Sequence, residues 1–88
     1  MSQDETLFEF PCEFPIKVML RAEATFEMEV ISLVRKHIPD LEDNAITRRA
    51  SAKSNYAALT FTITATSREQ LDNIYRDLTA SEYVIMAI

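Results

Sequence analysis

The fold is decided by residues 56–78, which read YAALTFTITATSREQLDNIYRDL. Every odd position from 57 to 65 is apolar, and every even position from Thr60 to Thr66 is threonine. Strict alternation with β-branched residues is typical of a strand that has one buried face and one solvated face. We therefore expect a strand here, and the period changes abruptly after it.

The change of period predicts a helix. Thr66 with Glu69, or Ser67 with Gln70, can form a capping box, in which each side chain satisfies a backbone N–H at the start of a helix. The residues that follow at helical spacing form one apolar stripe: Leu71, Ile74, Tyr75 and Leu78. The buried face of the strand and this stripe are expected to be two halves of one core.

Similar patterns recur along the rest of the chain. Residues 14–22 alternate and predict a first strand, and residues 83–88 predict a last one. After the first strand, a helix is expected with Thr25 as its N-cap, and Pro39 is expected to stop it. Residues 46–53 alternate more weakly, and Arg48 falls in their apolar phase. We therefore place this strand at a sheet edge, where a long charged side chain is tolerated.

The order of elements is β-α-β-β-α-β. With only two helices, the economical arrangement is a four-stranded antiparallel sheet in the order 4-1-3-2, with both helices on one face. This is an α+β, ferredoxin-like fold. Residues 7–88 are expected to form a single domain and residues 1–6 a flexible tail, while Leu7, Phe8 and Phe10 lie against the body of the domain.

Length and composition narrow the class of protein. The 88 residues carry a net charge of −5, which disfavours nucleic acid and anionic lipid as partners of the whole chain. No apolar run is long enough to cross a membrane, and no secretory signal is visible. A single cysteine, Cys12, fits a reducing cytoplasm, and the absence of glycine excludes a Gly-rich phosphate loop. The sequence therefore predicts a cytoplasmic protein that binds neither nucleic acid nor a membrane.

Three short runs carry a family resemblance. Residues 9–19, EFPCEFPIKVM, resemble the opening signature of the YbeD-like family of small bacterial proteins of unknown function. Residues 35–39, RKHIP, and 51–56, SAKSNY, resemble the end of its first helix and its central turn. The resemblance implies a ferredoxin-like fold similar to ACT-type regulatory domains, with no established activity. Because the family's genes often lie beside lipoate-attachment genes, it also implies a connection with lipoate.

The chain departs from the family pattern at two positions. Leu20 and Ser54 stand where the family usually has glycine. Regulatory domains that bind amino acids commonly use a glycine-bearing loop after the first strand, and residues 21–25 have none. This difference argues against effector binding of that kind.

Two side chains are candidates for chemistry. His37, the only histidine, is either a general base or ligand, or a helix C-terminal residue that the helix dipole stabilises. Cys12 is either a reactive thiol or a packing residue, and the neighbouring Glu9 and Glu13 disfavour a thiolate. One histidine and one cysteine cannot form a zinc site with four such ligands. We expect no enzyme, no metal and no cofactor.

The sheet face that points away from the helices is more informative. On the expected phases this face carries four bases and no acid. Its residues are Lys17, Met19, Arg21, Thr47, Arg49, Ser51, Lys53, Tyr56, Thr60, Thr62, Thr64, Tyr83 and Ile85. This is either an ordinary solvated face or a docking surface for an anion, an acidic partner or a second copy of the chain. The candidate binding residues are Lys17, Arg21, Arg49, Lys53 and Tyr56. RNA is less favoured, because RNA-binding sheets place aromatic residues on their central strands.

Two classes of function stay open from the sequence. The first is a non-catalytic regulatory or protein-interaction module that acts through its sheet face, with an unidentified protein partner and a weak homodimer as its assembly. The alternative is a small-molecule sensor of the ACT type or an accessory of an enzyme, such as a lipoate-related one.

Overall fold

The computed structural model describes residues 9–51, 53 and 55–88. Its elements in chain order are strand β1 (Cys12–Arg21), helix α1 (Ala24–His37), a short 3₁₀ helix (Asp43–Ala45), strand β2 (Ile46–Ala50), strand β3 (Tyr56–Ala65), helix α2 (Arg68–Ala80) and strand β4 (Val84–Ala87). The expected tail, residues 1–6, lies outside the described residues, as do Leu7, Phe8, Ala52 and Ser54. Phe10 is half-buried and packs against the core, as predicted.

The four strands form one antiparallel sheet in the order β2-β3-β1-β4. This is the predicted order 4-1-3-2 counted from the opposite edge, and the α+β, ferredoxin-like fold is confirmed. The two long strands, β1 and β3, pair along their full length, from Cys12 opposite Ala65 to Arg21 opposite Tyr56. They are the two central strands of the sheet, and the short strands β2 and β4 are its edge strands.

The core lies between the sheet and the two helices. All five odd positions of β3 from Ala57 to Ala65 are at most 2% exposed, as the alternation predicts. The other buried residues come from β1, both helices and the loop after α1: Ile16, Val18, Leu20, Val30, Val34, Leu41, Leu71, Ile74 and Leu78. Burying one aliphatic side chain of this size contributes about 1.5–3 kcal/mol of transfer free energy to the stability of the fold. The stripe on α2 and the inner face of β3 therefore form one core.

The two helices begin in different ways. At α2 the side-chain oxygen of Ser67 accepts a hydrogen bond from the backbone N–H of Gln70 (3.1 Å), and Gln70 Oε1 accepts one from the N–H of Thr66 (2.8 Å). Of the two predicted capping pairs, the structure thus has the one formed by Ser67 and Gln70. Helix α1 has Glu23 as its N-cap and no side-chain cap, so the prediction of Thr25 is wrong. The helix begins two residues before the predicted start, and its first backbone hydrogen bond runs from the N–H of Glu27 to the carbonyl of Glu23 (3.0 Å).

The second strand lies at an edge, as predicted, but it is shorter than expected. It ends at Ala50 instead of residue 53. Arg48 lies on the helix side of the sheet, where its guanidinium donates two hydrogen bonds to the carboxylate of Glu27 on α1 (2.7 and 3.2 Å). The adjacent carboxylate raises the pKa of Arg48. The charged residue in the apolar phase is therefore bound to a helix.

Among the described residues, no helix combines the length and the apolar character that crossing a membrane requires.

Candidate functional site

The register of the strands places the predicted binding residues. Directly opposed residues of antiparallel strands share one side of the sheet. Lys17 is opposite Thr60, and Arg21 is opposite Tyr56. Arg49 is opposite Ala58, which is itself opposite Met19. Because the alternate residues of β1 and β3 are buried against the helices, these side chains lie on the other surface, which we call the open face.

Four of the five candidate residues therefore share the open face: Lys17, Arg21, Arg49 and Tyr56. Lys53 is different, because it lies in the turn after β2 and beyond the last residue pair of that strand. It is exposed at the rim of the sheet, and no strand register assigns it to either face. The structure thus brings together four of these residues and leaves the fifth at the margin.

The bases of the open face differ from the arginines beside the helices. Arg35 forms an ion pair with Asp43 (2.6 Å), and Arg48 forms one with Glu27 (2.7 Å). Within residues 9–51, 53 and 55–88, Lys17, Arg21 and Arg49 form no ion pair. Lys17 and Arg21 are about 13 Å apart along β1, and Arg49 is about 10 Å away across two strand spacings from β1. The open face thus carries three separate positive charges that no carboxylate of the described chain neutralises.

One acid also lies on this face, contrary to the prediction of none. Strand β1 begins at Cys12, two residues earlier than expected, so Glu13 joins the sheet opposite Thr64. It has the same phase as Lys17 and is exposed. Glu13 is about 13 Å from Lys17, at the far end of β1 from Arg21. The open face is therefore basic over most of its area and acidic at one end.

The last strand corrects the expected positions of two apolar residues. The register of β1 and β4 shifts between Met19 and Leu20, which are opposite Met86 and Val84. Such a bulge leaves one residue without a partner, here Ile85. Tyr83 is not on the open face, because its ring packs against Phe26 of α1 with centroids 4.9 Å apart.

Two residues that the sequence reasoning missed take their place on the open face. Met86 is opposite Met19, and Ile88 exchanges two backbone hydrogen bonds with Lys17 (2.8 and 3.1 Å), so it lies directly opposite that residue. Met19, Met86 and Ile88 are 37%, 50% and 64% exposed. No signal in the sequence reveals the bulge, since the alternation of residues 83–88 is intact on both sides of it.

Three apolar residues of the open face form a row across the strands. We define the methionine row as Met86, Met19 and Ala58, which lie on β4, β1 and β3 in adjacent positions. Arg49 on β2 continues it at one end. A shallow depression of about 130 Å³ lies beside the row, and its lining includes Met19, Arg49, Tyr56 and Ala58. Polarizable methionine side chains adapt to varied partners, so such a row is suited to binding a protein surface.

The helix side has a histidine–carboxylate pair that sequence reasoning also missed. His37 Nε2 lies 2.7 Å from Asp77 Oδ2, which joins the end of α1 to α2. The two residues are 40 positions apart, and no local pattern connects them. Both side chains are partly buried, at 21% and 39% exposure. The pair is a direct side-chain contact between the two helices.

Two wider clefts open beside the helices. One of about 400 Å³ lies between α1 and residues 80–83. The other, of about 590 Å³, lies between the loop after α1 and the end of β3, where β3 extends beyond β2.

Cys12 is half-buried at the start of β1. In the described part of the chain, no three histidine, cysteine, aspartate or glutamate side chains are grouped to hold a metal ion.

The fold and the open face define the class: a small ferredoxin-like α+β domain with a largely basic, methionine-bearing sheet surface. The chain belongs to the family described as "Protein of unknown function (DUF493)", whose model matches residues 5–88. This confirms the resemblance to the YbeD-like family.

Bacterial relatives are similar over nearly the whole chain. A UPF0250 protein of Paraburkholderia phytofirmans is 45% identical over 83 residues, which cover 94% of this chain and 93% of the relative. A UPF0250 protein of Chromobacterium violaceum is 44% identical over 86 residues, with 98% and 97% covered. One from Neisseria gonorrhoeae is 48% identical over 79 residues, with 90% and 87% covered.

Two solved structures share the fold. The solution structure of protein HP0495 from H. pylori superposes with a TM-score of 0.74 at 10% identity, and covers 92% of this chain and 85% of that one. The C-terminal domain of the MgtC protein from Mycobacterium tuberculosis superposes with a TM-score of 0.61 at 16% identity, with 92% and 88% covered. At these identities the likeness concerns the fold alone.

Proposed function

We propose that this protein is a non-catalytic interaction module that binds an acidic partner protein through its open face. The observation that carries the proposal is the segregation of charge. A chain with a net charge of −5 presents three bases, Lys17, Arg21 and Arg49, around one apolar row, and they form no ion pair with the residues that the structure describes. Among the described residues of the strands, Glu13 at one end is the single acid that shares this face.

The chemistry of the face predicts a modest, salt-sensitive contact. Exposed ion pairs contribute only about 0–1 kcal/mol each, and salt screens them. The methionine row adds apolar area that a partner can cover, as the centre of a protein interface requires. A partner with carboxylates around an apolar patch is complementary to both features. Such a protein acts in the cytoplasm, in keeping with its single cysteine.

The experiment is capture of partners from the native cell, followed by mass spectrometry. Lys17→Glu with Arg49→Glu reverses two charges of the open face and should abolish capture without changing the circular dichroism spectrum. The matched control is Lys36→Glu with Arg76→Glu, because both residues are exposed on the helices. If the first variant keeps every partner of the wild type, the open face is not the docking surface.

A second candidate function is a small-molecule sensor or an accessory of an enzyme, for example in lipoate metabolism. The cleft of about 590 Å³ beside the end of β3 favours it, because its size is within the usual range of ligand sites. Its lining combines apolar Ile38 with polar Thr64 and Gln70. A thermal-shift screen with lipoate and amino acids tests this function. A ligand that raises the midpoint for the wild type, but not for Gln70→Leu, would support it.

A further inference from the structure

The methionine row and the bases beside it have a definite geometry. The row runs across the strands, while Lys17 and Arg21 lie on either side of Met19 along β1. Each base is two residues from Met19, which is about 7 Å at the rise of a strand. The open face therefore has an apolar strip with a positive charge on each flank.

The dimensions of this strip match an α-helix. A helix with its side chains is about 10–12 Å in diameter, so its flanks lie about 5–6 Å from its axis. A helix centred on the methionine row would thus have one flank beside Lys17 and the other beside Arg21. Across four strands the row and Arg49 span about 14 Å, which is the length of roughly ten helical residues.

We propose that the partner segment is an acidic amphipathic α-helix, which lies across the strands along the methionine row. This inference rests on the function proposed above and specifies its partner. The apolar stripe of the helix covers Met19, Met86 and Ala58, and its acidic flanks face Lys17 and Arg21. Burial of the exposed methionines gives affinity, and the two bases select helices with acids on both sides of the stripe.

Other occupants fit this face less well. An extended peptide pairs with the edge of a sheet through its backbone, and the methionine row is on the face. A second copy placed face to face would bring the same positive charges together. RNA would require outward aromatic residues on the central strands for stacking, and the open face of β1 and β3 has one, Tyr56, at the end of β3.

The test uses two synthetic peptides of about 18 residues, long enough to support a helix. One has leucines at i, i+3, i+4 and i+7 spacing with glutamates on both sides. The other has the same composition in scrambled order, so its charge is equal and its stripe is lost. Binding is measured by fluorescence anisotropy, peptide helicity by circular dichroism, and the contact surface by amide chemical shifts of the labelled protein.

The striped peptide should bind at least about tenfold more tightly than the scrambled one, because only a helix with one apolar face covers the row. It should gain helicity on binding and shift the amides of Met19, Ala58 and Met86. Met19→Ser with Met86→Ser should remove most of this preference. The control Met28→Ser should leave it unchanged, because Met28 is exposed on α1.

The inference would be overturned by equal affinity for the two peptides, by an extended bound peptide, or by no binding of either at millimolar concentration. Equal affinity would leave the proposed function intact, since charge alone would explain the contact. Failure of the proposed function is recognised separately, because the Lys17→Glu, Arg49→Glu variant would then still capture the native partners. A self-associated complex that excludes the striped peptide would assign the face to a second copy.

Discussion

Arg48 on the edge strand β2 donates two hydrogen bonds to Glu27 on α1, at 2.7 and 3.2 Å. Edge strands are held on one side only, and β2 has just five residues. Through this contact a side chain of β2 binds the helix layer. The charged residue that interrupts the apolar phase of β2 therefore connects the sheet to a helix.

Arg48→Ala should loosen β2 without unfolding the domain. We expect faster amide hydrogen exchange at Thr47 and Arg49, because local opening of the edge becomes easier. The centre of β3 should exchange as in the wild type. Arg49→Ala is the matched control, since it removes a neighbouring guanidinium that has no ion pair among the described residues. Equal exchange in both variants would show that the contact with Glu27 does not hold the strand.

Leu78→Ala should lower the free energy of unfolding by about 2–5 kcal/mol, the usual cost of removing a buried leucine side chain. Leu78 is fully buried on α2. Urea unfolding followed by circular dichroism measures the effect. Asp72→Ala on the exposed side of the same helix should change stability by no more than about 0.5 kcal/mol. A change below about 0.5 kcal/mol for Leu78→Ala would mean that the core does not depend on this stripe.

Tyr75 predicts a loss of stability at high pH. Burial raises the pKa of its hydroxyl above the ordinary value of 10.0. The unfolded chain therefore loses this proton first, and the stabilising contribution is complete below pH 10 and declines as the pH rises through the folded-state pKa. Urea unfolding at a series of alkaline pH values should show a smaller decline for Tyr75→Phe. An identical decline in both proteins would exclude Tyr75 as its source.

The assembly should be a monomer or a weak dimer that sulfate or phosphate strengthens. Two open faces in contact would repel each other through Lys17, Arg21 and Arg49, and a bridging anion would reduce that repulsion. Light scattering across a series of sulfate concentrations, with chloride at equal ionic strength as the control, measures this. A tetramer that does not respond to salt would contradict the prediction.

The fold is predictable from local hydrophobic patterns because these patterns are clearest in the elements that form the core. The alternation in β3 and the stripe on α2 place Phe61, Ile63 and Leu78 correctly, since the period of a pattern indicates which positions face the core. The start of α1 was missed for a different reason. Thr25 is a better capping residue than Glu23, but the helix begins directly after Glu23 without a side-chain hydrogen bond at its N-cap, so capping preference does not decide this start.

The sequence predicts the candidate site in outline. The errors of this prediction have identifiable physical causes. Lys17, Arg21 and Arg49 share a face because strand phase is readable from sequence. Met86 was misplaced because a bulge moves one residue out of register, and bulges have no reliable sequence signal. The contact of His37 with Asp77 joins residues distant in the chain, and only the packing of the two helices brings them together.

Glu13 gives the open face a direction. The surface is positive along β1 from Lys17 to Arg21 and turns negative toward Cys12, where Glu13 stands opposite Thr64. A ligand whose charge is unevenly distributed would be attracted in one orientation and repelled in the other. The carboxylate of Glu13 thus distinguishes the two orientations. Discrimination between two orientations requires a penalty for the wrong one as well as a reward for the right one. Within the described part of the chain, a single acid of the open face, Glu13, supplies that penalty.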